Sequence, residues 1–270
     1  MSFEITYAAK NLLMNSLIPP GSGIDYKSVV LKGDSRCAAL FTGGHVAVND
    51  PSTGFPDEGI ILSTGKAKHL INQDSESTTT NFNTPGDPQL LPDDSQLSTE
   101  DACSLQFEFK CQDSTKGFLD IGYVFASDEY KEFSFSQYLD GFALLLNDAN
   151  IATVPLSNGE YVAVGTVNQS TNSQYFVSNS PINQPGAVVF PKFEADGFTK
   201  KFTASGTISS GWNTMKLGVT DVSDAKWDSW VILEQGAFQC VEIPTAPDPV
   251  ITLTVPDPEP STGTGSGGEE

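Results

Sequence analysis

The sequence predicts an all-β protein: a two-sheet β-sandwich of jelly-roll-like type, with one short N-terminal helix and a disordered C-terminal tail. Three observations lead there. Turn formers are abundant, with 24 Gly and 17 Pro in 270 residues. Short apolar runs closed by Gly or polar turns recur along the chain, as in sandwiches and barrels. Leu105, Phe107 and Phe109 alternate with Gln106, Glu108 and Lys110, the period of a half-buried strand.

The first element is the exception. TYAAKNLLMNSL (6–17) carries the helical pattern, with Ala9, Leu12, Leu13 and Leu17 on one face, and Pro19-Pro20 ends it. Strands are expected at VVLKG (29–33), CAALFTGG (37–44) and GIILSTG (59–65). Residues 72–100 are polar and read as a long surface loop, the kind that is often functional in a compact domain. Strands resume at SLQFEFK (104–110), GFLDIGYVFAS (117–127), DGFALLLND (140–148), TVPL (153–156) and YVAVGTV (161–167). A second polar stretch spans 168–192. Three strands close the series at KKFTASGTI (200–208), TMKLGVTDV (214–222) and SWVILEQGAF (229–238). No 20–50-residue period repeats, so residues 1–243 are read as one domain. Residues 244–270, rich in Pro, Gly, Thr and acid and without Lys or Arg, are read as an acidic linker or tail.

Thirty-four acidic residues against 14 basic ones give a net charge of −20. Only five of the acids lie in the tail, so the acidity belongs to the folded part. Such a surface repels nucleic acid and anionic membranes, and neither is an expected partner. No apolar stretch approaches 18 residues, so membrane insertion is not expected. MSFEITYAAK has neither a basic n-region nor an apolar h-region, so no signal peptide is read in this chain. The expected state is monomeric.

Cys37, Cys103, Cys111 and Cys240 include no C-x-x-C pair, which weakens zinc and thioredoxin readings. An even number of scattered cysteines in a loop-rich acidic chain suggests two disulfides and an oxidising compartment. One pairing is excluded by geometry. If 104–110 is a strand, Cys103 and Cys111 lie about 26 Å apart at roughly 3.3 Å per residue. A disulfide requires Cα atoms within about 7 Å. Each must therefore pair with Cys37 or Cys240.

Two acid-rich turns carry the candidate chemistry. One holds Asp128, Glu129, Tyr130 and Glu132, with Tyr138 and Asp140 following; the other holds Asp221, Asp224, Trp227 and Asp228. Each starts where an apolar strand ends and stops where the next begins, the usual place to build a site on a rigid scaffold. Gathered carboxylates repel one another unless neutralised. Calcium does this with six to eight oxygens, carbonyls and water included. The second turn lacks the Gly and closing Glu of an EF-hand, so any Ca2+ would be held by several separate loops. Glu129, Asp140, Asp221 and Asp228 are the expected ligands, with Asp128, Asp224 and Asp101 as further candidates. Tyr130, Tyr138 and Trp227 could offer flat platforms to a glycan or protein, whereas Trp230 begins a strand and reads as core.

At this point the chain resembles the choice-of-anchor L domain family. The matching segments are GIILSTG (59–65), TPGDP (84–88), LQFEFK (105–110), YVFASDEYKEFSFSQYLDGFALLLN (123–147), DGFT (196–199) and KLGVTDVSDAKWDSWVILEQGAF (216–238), in the family's order. The resemblance implies an extracellular β-sandwich module on a secreted or cell-surface protein, with variable attachment signals. The four cysteines lie outside the shared motifs.

Other chemistries are weaker. A carboxylate pair, Glu129 or Glu132 with Asp228, could in principle cleave a glycosidic bond. Only His45 and His69 could serve a serine triad, both sit beside turns, and no G-x-S-x-G elbow, H-E-x-x-H or phosphate loop is present. Asn168-Gln169-Ser170 is a glycosylation sequon. The expectation is a non-enzymatic adhesion or ligand-binding module, binding a glycan or protein outside the cell and stabilised by calcium. A polysaccharide hydrolase and a structural spacer are the alternatives.

Overall fold

The computed structural model describes residues 2–71, 78–91, 97–130, 133–135, 140–179, 190–223 and 225–242. Among them the strands are β1 (Glu4–Tyr7), β2 (Ile24–Lys32), β3 (Ala38–Thr42), β4 (Glu58–Ser63), β5 (Thr99–Cys111), β6 (Lys116–Ser127), β7 (Gly141–Leu146) and β8 (Ala149–Asn150). They continue with β9 (Phe176–Ser178), β10 (Gly197–Thr199), β11 (Phe202–Thr207), β12 (Asn213–Val222) and β13 (Ser229–Glu242). Two short helices, α1 (Lys10–Leu17) and α2 (Gly44–Ala47), complete the regular structure. One sheet has eight strands in the order β1-β3-β4-β13-β6-β10-β9, with β11 also paired to β6. The other runs β2-β5-β12-β7-β8. The fold is the two-sheet sandwich that the sequence predicts. The expected tail, 244–270, lies outside the described residues.

Side-chain alternation explains how the layers pack. Along β6, Leu119, Ile121, Tyr123 and Phe125 enter the core between the sheets, while Val124 and Ala126 face a second apolar layer outside. β13 divides in the same way, with Val231 and Leu233 inward and Trp230 and Ile232 outward. The outer layer, built from Phe3, Phe41, Phe55, Phe193 and Phe198, covers the eight-stranded sheet. A sheet buried on both faces needs continuous apolar strands, which is why GIIL, YVFA and WVIL do not alternate. β5 does alternate: Leu105, Phe107 and Phe109 are buried, and Gln106 is exposed.

Both disulfides start on β5. Cys103 bonds to Cys37, and Cys111 bonds to Cys240, with Cα separations of 5.9 and 6.2 Å. Cys103 and Cys111 are eight residues apart, so they project from the same face of the strand. Both bonds tie the five-stranded sheet to the eight-stranded one, and the excluded pairing is absent.

Several local expectations need correction. The N-terminal helix begins at Lys10, not at Thr6; Glu4–Tyr7 pairs with β3 instead. The buried face is Leu13, Met14 and Leu17, and Leu12 is exposed. YVAVGTV forms no strand. Tyr161 makes one bridge to Thr153, and the hydroxyl of Thr166 donates to the carbonyl oxygens of Tyr161 and Ala163, curling the segment into turns. The sequon is not available for a glycan. Asn168 is fully buried, and its Nδ2 donates to the carbonyls of Val164 and Gly165.

Candidate functional site

The two acid-rich turns meet at one end of the sandwich because the strands they follow are neighbours. β6 ends and β13 begins side by side, with Ser127 opposite Ser229. The Ser229 hydroxyl donates to Ser127 Oγ at 2.9 Å, and Thr64 exchanges hydrogen bonds with Ser229 from the adjacent strand end. Across the sandwich, β12 brings Asp221 opposite Glu100 of β5 and Thr220 opposite Gly141, the residue after Asp140. Asp101, Asp128, Glu129, Asp140, Asp221 and Asp228 all come to this pole, and each is at most 4% exposed. Asp224, Glu132 and Tyr138 lie outside the described residues.

Three of these acids hold a segment that the sequence suggested was surface loop. Thr78 N donates to Asp128 Oδ2 at 2.7 Å, and Thr80 N donates to Asp228 Oδ1 at 2.7 Å. Phe82 N and Thr84 N each donate to Asp101 at 2.6 Å, with the Thr84 hydroxyl as a third donor. Every second main-chain N–H from 78 to 84 thus ends on a buried carboxylate. The segment threads between the acid-rich turns, and Thr78 O accepts from Asp228 N. Asp101 reaches this position through a bulge: the β12–β5 register shifts between Val219 and Asp221, and Asp101 has φ 45°. Bulges commonly re-aim a side chain in this way, and Asp tolerates the left-handed conformation better than most residues.

Asp140, Asp221 and the second oxygen of Asp228 are less well satisfied. Glu129 Oε2 accepts from Asp140 N at 3.0 Å. Neither carboxylate oxygen of Asp140 receives a hydrogen bond of ordinary geometry, nor does Asp221 Oδ1 or Asp228 Oδ2. The Ser229 hydroxyl and Val222 N–H only approach Asp140, and the Thr64 hydroxyl approaches Asp221. Burial pushes the carboxyls of Asp128, Asp140 and Asp221 well above the usual range, and neighbouring carboxylates add to it: Asp196 and Glu194 beside Asp128, Glu129 beside Asp140, Asp140 beside Asp221. Asp228 is pushed up to about 7, again by burial first, with the Thr80 hydrogen bonds pulling the other way. An isolated buried carboxylate is costly, so such a cluster binds protons or a cation.

His69, which the sequence places beside a turn, also reaches this pole. Its Nδ1 lies 3.3 Å from Thr80 Oγ1 and 3.9 Å from Asp228 Oδ2. Burial, assisted by Lys66, holds it below the usual imidazole range, so its contact with Asp228 is not a full ion pair at neutral pH. Gly65 is also required here, since a Cβ would lie 1.8 Å from Asp228 Oδ2. Neither signal is legible without the tertiary structure.

The aromatic platform needs correction. Tyr130 is fully buried and packs against Phe176 at 4.8 Å; its ring closes the interior of the sandwich and offers no face to a ligand. Trp227 is half-buried, stacked on Phe133 at 4.3 Å. Trp230 is buried, as expected.

Among the described residues, no three His, Cys, Asp or Glu side chains are grouped so as to share a metal ion, and no helix is long and apolar enough to cross a membrane. The model of the choice-of-anchor L domain family matches residues 4–239, nearly the whole chain. No curated protein and no solved structure gives a significant match.

Proposed function

The chain belongs to the choice-of-anchor L domain family, an extracellular surface module, and from that premise we propose that it is a non-enzymatic adhesion or ligand-binding domain whose acidic pole is rigidified by calcium. One observation carries the calcium reading. Four buried carboxylate oxygens, two on Asp140 and one each on Asp221 and Asp228, receive no hydrogen bond of ordinary geometry. They belong to groups that destabilise one another when ionised. Calcium accepts hard oxygen ligands, carbonyls and hydroxyls among them, so a site here would use Asp140 and Asp221 with nearby main-chain and Ser/Thr oxygens. Among the described residues no three such side chains are grouped, so no more than two of these acids would share one ion as the side chains stand. Bound calcium would offset the repulsion among these carboxylates. Asp128 and Asp101, whose oxygens already accept main-chain N–H groups, would act as anchors of segment 78–84.

Burial also favours this reading over polysaccharide hydrolysis. A glycosidase needs both carboxyls beside the scissile bond, whereas Glu129 and Asp228 are 3% and 2% exposed and Asp228 is bonded to Thr80 N.

Melting curves in Ca2+ and in EGTA test the proposal. A ligand at a hundredfold excess over Kd stabilises by about 2.7 kcal/mol, which for a domain of this size raises Tm by roughly 5–10 °C. Asp140→Asn should abolish that rise. Equal midpoints in Ca2+ and EGTA would overturn the calcium reading.

A further inference from the structure

Pro85, Gly86 and Asp87 of the TPGDP segment and Lys216, the first residue of the KLGVTDV segment, are not used by the acidic pole, yet they meet in space. They line a cleft of about 540 Å³ on the five-stranded sheet, walled by Leu31, Pro85 and Ala102. Within it lies Lys216, a lysine only 7% exposed. Its Nζ is 2.5 Å from Asp87 Oδ2 and donates to Gln89 Oε1 at 2.8 Å. Gly86 lets the loop sit directly on β5, since a Cβ there would lie 2.1 Å from the Thr99 carbonyl carbon. Asp87 N donates to Thr220 Oγ1, and Asp87 also caps the turn at Pro88–Leu90. The pair is therefore held from both sides.

We propose that this cleft is the ligand site of the domain and that it takes a neutral sugar unit of a glycan. The inference rests on the reading of the chain as a ligand-binding module and names the place and ligand class. A pocket of 300–1,000 Å³ with apolar walls and a few fixed polar groups has the usual form of a small-ligand site. Lys216 and Asp87 cancel in charge, and with Gln89 they present donors and acceptors side by side. That set complements hydroxyl groups, each of which donates and accepts. The net charge of −20 disfavours an anionic ligand. A peptide adding to the edge strand β2 is disfavoured by Lys27 and Lys32 and by the irregularity between Lys27 and Val30, where Ser28 has φ 56°; charged residues and bulges blunt edge pairing.

The test is a glycan array carrying neutral and acidic oligosaccharides, probed with the full chain, followed by titration of the best binder. Neutral oligosaccharides should bind. Lys216→Met and Gln89→Ala should each weaken binding at least tenfold with Tm of the Gln89→Ala variant unchanged. Gln89 is exposed, so that variant decides the matter if Lys216→Met fails to fold. Binding confined to acidic glycans or to peptides, binding unmoved by Gln89→Ala, or no glycan binding at all would each overturn the proposal. These outcomes are independent of EGTA melting, which reads only the acidic pole.

Discussion

Replacing Asp228 with Asn removes one proton-binding site and preserves most of the surrounding geometry. The amide oxygen can still accept from Thr80 N, as Oδ1 does now at 2.7 Å. Burial pushes the folded carboxyl up to about 7, against about 3.9 for an unperturbed aspartate. An acid whose pKa is raised on folding binds its proton more tightly in the native state. Its contribution is fully present below the unfolded pKa, declines as pH rises between roughly 4 and 7, and is gone above the folded value. Three units at 1.36 kcal/mol each set an upper bound of about 4 kcal/mol. Asp140 and Asp221 share the relief, so the measured figure should be smaller. In EGTA at pH 8, Asp228→Asn should therefore melt several degrees higher than the wild type. At pH 4 the two should converge. In saturating Ca2+ the advantage should shrink, because the ion neutralises the wild-type carboxylate. The assay is thermal or urea unfolding of both proteins at pH 4, 6 and 8, comparing variant with wild type so that exposed acids cancel. A variant equally destabilised at pH 4 and pH 8 would refute the reasoning.

Further outcomes follow from the same contacts. Asp101→Asn leaves one amide oxygen for three donors and turns an NH2 group toward an N–H; a loss of about 2–4 kcal/mol is expected, with earlier proteolytic cleavage within residues 78–87. Gly65→Ala should cost roughly 1–3 kcal/mol through overpacking against Asp228, and the cost should fall in an Asp228→Ala background, which a double-mutant cycle would show. Removing the Cys37–Cys103 bond, which spans 66 residues, and the Cys111–Cys240 bond, which spans 129, should cost about 4 and about 5 kcal/mol by loop-closure entropy; unfolding of the paired Cys→Ser variants reads both.

The acids themselves were legible in the sequence; their separate roles were not. Asp128, Glu129, Asp140, Asp221 and Asp228 stand out because each follows or precedes an apolar strand. Nothing local shows that Asp128 and Asp228 anchor Thr78 and Thr80, some 50 and 148 residues away. Tyr130 misled for the same reason: a tyrosine in an acidic turn looks exposed until Phe176 is brought against it. His69 and Gly65 carry no signal beyond their own turns.

Alternation along β5, the scarcity of helical periodicity and the abundance of turn residues sufficed for an all-β chain, because pleating and helix period are properties of neighbours in sequence. The excluded Cys103–Cys111 pairing came from the same arithmetic. Partner choice came from elsewhere. That Glu4–Tyr7 joins β3, that YVAVGTV curls into turns, and that TPGDP closes a cleft over Lys216 depend on surfaces supplied by remote strands. Burial of a carboxylate is likewise a property of the assembled sandwich, and so are the remote N–H groups that bond Asp101 and Asp128 while leaving the oxygens of Asp140 without such partners.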